Sequence, residues 1–134
     1  MMRLLLLVLL VALGTVTVQG ADERRYTTRY DNIDLERILS SRRLVTNYVE
    51  CLLGRKRCPP EAVELKRVLP DALATQCAKC SPQQREMAIK VIRRLQSEYP
   101  DLWRILLQQF DPSGEKVKRF EQAVKRRIDA KRAK

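Results

Sequence analysis

The sequence predicts an all-α protein, a compact bundle of about six short amphipathic helices, and two observations carry that prediction. From Asn32 onward apolar residues recur every three or four positions, and no stretch alternates over enough residues to argue for a strand. Between the apolar runs stand Ser40-Ser41, Gly54 to Pro60, Ser81-Pro82, Pro100 and Pro112-Ser113-Gly114. These breaks divide the body into helices near 32–39, 42–53, 60–73, 82–98 and 101–110, and a basic segment, 115–134, supplies the sixth.

Taken in order, the first helix carries Leu35, Ile38 and Leu39 on one stripe, with Asp31-Asn32 placed to cap its start. The second carries Leu44, Tyr48 and Leu52, and the third Leu65, Val68, Leu69 and Leu73. Pro70 falls inside the third, where the missing backbone donor should bend or break the helix and leave Asp71 to Leu73 as a separate turn. The fourth begins with Ser81 as N-cap, Pro82 at the first helical position and Gln84 where a capping box needs it, and it carries Ala88, Val91, Ile92 and Leu95. Leu102, Trp103, Leu106 and Phe110 mark the fifth.

Residues 1–20 differ from the rest. Arg3 is their only charge, Leu4 to Leu13 is unbroken apolar sequence, and Val18-Gln19-Gly20 suits a signal cleavage before Ala21. The apolar core is nearer ten residues than the roughly twenty a membrane span needs, so a cleavable secretory leader is expected. The expected organisation is a leader at 1–20, a helical domain at 21–114 and a basic C-terminal helix at 115–134. Cleavage would lower the net charge from +11 to +10.

The composition excludes much enzyme chemistry. The 134 residues contain no His, which removes imidazole bases, His-based triads and His metal ligands, and four Gly are too few for a Gly-rich phosphate loop. The carboxylate pairs Glu61/Glu64 and Asp34/Glu36 sit on charged helix faces beside Lys66, Arg67 and Arg37, where solvated pairing is the default. No catalytic residue, metal site or cofactor is expected.

Cys51, Cys58, Cys77 and Cys80 form the spacing C-x6-C-x18-C-x2-C. An even count in a short secreted chain reads as a disulfide framework with three open connectivities. A zinc site made of four cysteines would want two close pairs, and a redox C-x-x-C would want a βαβ setting, whereas Cys77-Ala78-Lys79-Cys80 lies between two helices.

These pieces together resemble a known family, the insect chemosensory proteins, also called the OS-D-like or pherokine group. The matching segments are Tyr26 to Asp34, Tyr48-Val49-Glu50-Cys51-Leu52-Leu53, Arg57-Cys58-Pro59-Pro60-Glu61, Glu64-Leu65-Lys66, Leu69 to Leu73, Cys77 to Ser81 and Phe110-Asp111-Pro112-Ser113-Gly114. The resemblance implies a six-helix fold around an apolar channel, disulfides between sequence neighbours (Cys51–Cys58 and Cys77–Cys80), and a non-enzymatic carrier of small lipophilic molecules such as semiochemicals or fatty acids. Ala62, Phe110 and Glu115-Lys116 depart from that family's usual Gly, Tyr and aromatic residue.

The residues expected on the channel are Ile38, Leu44, Tyr48, Leu52, Leu65, Val68, Leu69, Val91, Leu95, Trp103, Leu106 and Phe110, each on the apolar stripe of its helix. By the resemblance, Tyr26, Tyr30 and Asp31 stand near its entrance, where hydroxyls and a carboxylate suit a polar head group. The expected partner is a small hydrophobic ligand bound by a monomer, with a membrane receptor or an anionic surface as further candidates. The last of these rests on 115–134, where nine Lys/Arg face three Asp/Glu and Val117, Phe120, Val124 and Ile128 form a narrow stripe. That stripe either docks on the body or meets an anionic membrane or polyanion. Nucleic acid is not favoured, for want of a stacking platform or a known motif.

Overall fold

The computed structural model describes residues 25–134, and the expected leader at 1–20 lies outside them. The described chain is helical, with no strand among the described residues: α1 Leu35–Leu39, α2 Arg42–Leu52, α3 Pro60–Thr75, α4 Pro82–Glu98, α5 Pro100–Phe110 and α6 Glu115–Arg132. α4 is the hub, touching α1, α5 and α6, while α2 lies against α1, α3 and α5, and α6 also packs on α3.

The helix starts follow local chemistry. The Ser41 hydroxyl accepts from the Leu44 N–H and opens α2. Ser81 and Gln84 complete a reciprocal capping box at α4, with Pro82 at the first position. α1 starts three residues later than expected, because Asp34 rather than Asp31 or Asn32 is the N-cap: its Oδ1 accepts from the Arg37 N–H at 3.1 Å. α6 follows Gly114, whose φ of 74° suits a residue without a Cβ and whose lack of a side chain leaves the cap to another residue. Buried Asp111 takes that role, accepting from the Val117 N–H at 2.9 Å.

Pro70 does not break α3, which runs continuously to Thr75, so Asp71 to Leu73 are not a separate turn. Pro70 and Lys66 are both exposed, so water can take the Lys66 carbonyl that the missing N–H would have served. The helix ends instead at Gln76 and Cys77, both in the left-handed region with φ of 50° and 63°.

The four cysteines form two local disulfides, Cys51–Cys58 and Cys77–Cys80, with Cα–Cα distances of 5.0 and 5.1 Å. The first ties the last turn of α2 to the entry of α3. The second closes the turn between α3 and α4. By loop entropy each short bridge contributes about 2 kcal/mol, which lets short helices be held in place with little core per helix.

That core is divided. One apolar cluster gathers Leu39, Val45, Val49, Leu52, Leu95, Tyr99, Leu102 and Leu106 from α1, α2, α5 and the C-terminal part of α4. The other joins Ala72, Leu73, Cys77, Cys80, Ile89, Val117, Phe120 and Val124 from α3, α4 and α6. The apolar stripe of α6 therefore docks on the body, with Val124 fully buried and Ile128 packed at its end. It is not free to enter a membrane, and no helix among the described residues is long and apolar enough to cross one.

Candidate functional site

Two aromatic side chains touch both clusters. Trp103 and Phe110, seven residues apart and so two turns along one face of α5, each pack against the first cluster and against the second. The seam between the clusters is thus lined by an indole and a phenyl ring on a single helix, and it is the candidate site.

Of the other residues that the sequence offers for the channel, several lie in one cluster or the other. Leu52, Leu95 and Leu106 are buried in the first cluster, and Val91 packs against it. Leu69 and Tyr26 pack against the second. The remainder lie elsewhere. Leu65 is 42% exposed, so its expected place on the interior is corrected: α3 turns Ala62 and Leu69 inward, and Leu65 projects with Val63 to solvent. Ile38, Leu44, Tyr48 and Val68 are half-buried and belong to neither cluster. On α2 the inward stripe is Val45, Val49 and Leu52, one residue round from the Leu44, Tyr48 and Leu52 stripe read from the sequence. Both fit a 3.6-residue period, and the partners facing α2 select between them: Val45 and Val49 join Leu39, Leu95, Tyr99, Leu102 and Leu106 in the first cluster.

The polar residues expected at the entrance are engaged within the protein. The Tyr26 hydroxyl donates to Asp71 at 2.5 Å, and Lys79 lies 3.6 Å from the same carboxylate. Burial and this bond raise the Tyr26 pKa well above its ordinary value, while the phenol and Lys79 hold Asp71 below its own. Tyr30 is half-buried under the Arg29 guanidinium, 6.0 Å from the ring centroid. Asp31 accepts from the Gln84 side chain at 3.0 Å, which fastens the N-terminal segment to the start of α4. It also lines a cleft of about 390 Å³ with Ile33, Glu36, Met87 and Lys90. A smaller cleft of about 190 Å³ lies between α4 and α6, beside Ile89, Ile92 and Lys125.

The sequence pattern hides Tyr99, which precedes Pro100, where the apolar period reads as a break. It is buried in the first cluster, and its hydroxyl donates to the Leu39 carbonyl at 2.6 Å. The signal was present, since an aromatic four residues after Leu95 and three before Leu102 continues the helical period across the proline.

Six helices among the described residues, two disulfides between sequence neighbours and an apolar interior parted along two aromatic rings define a small stapled helical protein built around its interior. The chain belongs to the insect pheromone-binding family A10/OS-D, whose model matches residues 26–118. It is 48% identical over 111 residues to ejaculatory bulb-specific protein 3 of Drosophila melanogaster, covering 83% of this chain and 86% of that one. It is 41% identical over 120 residues to allergen Tha p 1 of Thaumetopoea pityocampa, covering 90% and 93%. Among solved structures, a chemosensory protein in complex with bromo-dodecanol superposes with a TM-score of 0.68 at 40% identity, covering 74% of this chain and 99% of that one. The antennal chemosensory protein A6 from the moth Mamestra brassicae superposes at 0.59 with 41% identity, covering 75% and 93%.

Proposed function

We propose that this protein is a secreted carrier that reversibly binds small lipophilic molecules in the seam between its two apolar clusters, without chemical transformation. The observation that carries the reading is the double contact of Trp103 and Phe110: a slender apolar tail entering between the clusters exchanges ring contacts for tail contacts and leaves the helices stapled. The relative solved with bromo-dodecanol supports that class of ligand, at 40% identity. The absence of His from the sequence is consistent with binding alone. The apolar run Leu4 to Leu13 and the Val18-Gln19-Gly20 pattern before Ala21 support secretion through a cleaved leader, which N-terminal sequencing of the released protein tests by finding Ala21 first.

Burying each methylene contributes about 0.8 kcal/mol, so a twelve-carbon tail gains roughly 10 kcal/mol before costs. Lost freedom of the ligand takes back several kcal/mol, leaving about 6 to 8 kcal/mol and a Kd from tens of micromolar to about one micromolar. Trp103 is the only indole, so its emission reports the seam directly. Titration with dodecanol should shift that emission, and Trp103→Ala should weaken binding while the helical circular dichroism persists. The reading fails if no aliphatic ligand of about eight to eighteen carbons, the range a tail of this length brackets, perturbs Trp103 or displaces an apolar dye.

A further inference from the structure

Three arginines surround the turn between α3 and α4. Arg25 donates through Nη1 to the Cys80 carbonyl at 3.3 Å, and Arg127 of α6 donates through Nη1 to the Gln76 carbonyl at 2.7 Å. Arg85 stands in the opening of α4, just after the Ser81 cap, and its Nε is buried without a hydrogen-bond partner. Among the described residues no carboxylate forms an ion pair with any of the three.

Each feature is adverse for a cation. A positive side chain near a helix N-terminus opposes the helix dipole, a buried N–H without an acceptor has lost its water, and neighbouring guanidinium groups repel. Burial first, then the charges of Arg127 and Arg25, draws the Arg85 pKa below its ordinary value. One oxyanion would relieve all three.

The turn is also the rim of the second apolar cluster. Cys77 and Cys80 belong to that cluster, Val124 lies one helical turn before Arg127, and Tyr26, beside Arg25, packs on it. We propose that Arg25, Arg85 and Arg127 form an oxyanion site that receives the carboxylate head of a lipophilic ligand whose tail lies against this cluster. The proposal rests on the carrier reading and adds a preference: ionised fatty acids over alcohols of equal length.

The test compares dodecanoate with dodecanol at neutral pH on the secreted protein, by Trp103 emission and dye displacement, with acetate and inorganic phosphate as heads without tails. Dodecanoate should bind about tenfold more tightly, the ratio a hydrogen-bonded charge pair supplies at a partly exposed site. Arg85→Gln should remove most of that ratio, and Arg25→Gln, at an exposed position, should reduce it without disturbing the core. Equal affinities for acid and alcohol, or an unchanged ratio in both variants, overturn the proposal. Acetate or phosphate binding as tightly as dodecanoate overturns the lipid assignment in favour of a free anion. If neither twelve-carbon ligand binds, the carrier reading itself has failed and the head-group site falls with it.

Discussion

The Tyr99 hydroxyl lies 2.6 Å from the Leu39 carbonyl oxygen, a buried hydrogen bond between positions sixty apart in sequence. Leu39 is the last residue of α1, where carbonyls have no partner within the helix, and Tyr99 is the hinge between α4 and α5. One phenol therefore satisfies a helix C-terminus and fixes the angle at which two other helices meet. The Arg42 guanidinium lies over the same ring at 5.8 Å, and Arg42 also pairs with Asp101 in the first turn of α5.

Tyr99→Phe keeps the ring and removes the donor. The Leu39 carbonyl is then buried without a partner, so stability should fall by about 1 to 3 kcal/mol, measured by urea unfolding. A loss below a few tenths of a kcal/mol would mean that water reaches the carbonyl and that the bond does not set the hinge.

Asp111 is 2% exposed and caps α6 from outside the helix, across Gly114. Asp111→Ala should cost about 2 kcal/mol, because it strips an N-cap and leaves the Val117 N–H unsatisfied in a buried place. Asp111→Asn retains an acceptor and should cost less than half as much. Hydrogen exchange at the Val117 amide distinguishes the two, rising sharply for Ala and little for Asn.

Much of this architecture was legible in the sequence because it is local. Ser41 and the Ser81-Pro82-Gln84 group each supply an acceptor at the position a helix start needs, and α2 and α4 begin there. The cysteine count pointed to a framework, and the resemblance supplied the pairing that the structure contains. What the sequence hid was rotation about a helix axis. Leu44/Tyr48 and Val45/Val49 have the same spacing, and only the partners facing α2 decide that Val45 and Val49 are buried. The same rotation puts Leu65 on the solvent side, and Pro70 leaves α3 unbroken because whether a missing N–H breaks a helix depends on which side faces water. The arginines around the Cys77–Cys80 turn were invisible as a group, since Arg25, Arg85 and Arg127 come from three distant parts of the chain.

The C-terminal helix is part of the core. Phe120 is 4% exposed in the second cluster, so Phe120→Ala should cost about 3 to 5 kcal/mol by cavity formation. Truncation after Gly114 removes Val117, Phe120 and Val124 together and should abolish cooperative melting of the remaining helices. A truncated chain that melts cooperatively within a few degrees of the full one would show that the first cluster alone sustains the fold.

Two phenols tie stability to alkaline pH. Burial, reinforced by the 2.5 Å hydrogen bond to Glu61, pushes the Tyr48 pKa up to about 12, and Tyr26 is raised further by burial and Asp71. In the unfolded chain both ionise near the ordinary value of about 10. The folded state therefore holds these protons more tightly than the unfolded state. Their contribution is fully present below about pH 10 and is lost as pH rises toward about 12 and beyond. The urea midpoint should fall between pH 9 and pH 11, and in Tyr48→Phe and Tyr26→Phe it should fall less, because phenylalanine has no proton to lose. Lysines titrate in the same window, so the comparison with each Phe variant, and not the slope alone, isolates the phenols. Ultraviolet difference titration against Tyr48→Phe gives the ionisation of that single group. If its midpoint lies near 10, the hydroxyl is solvated and the Glu61 bond does not persist in solution.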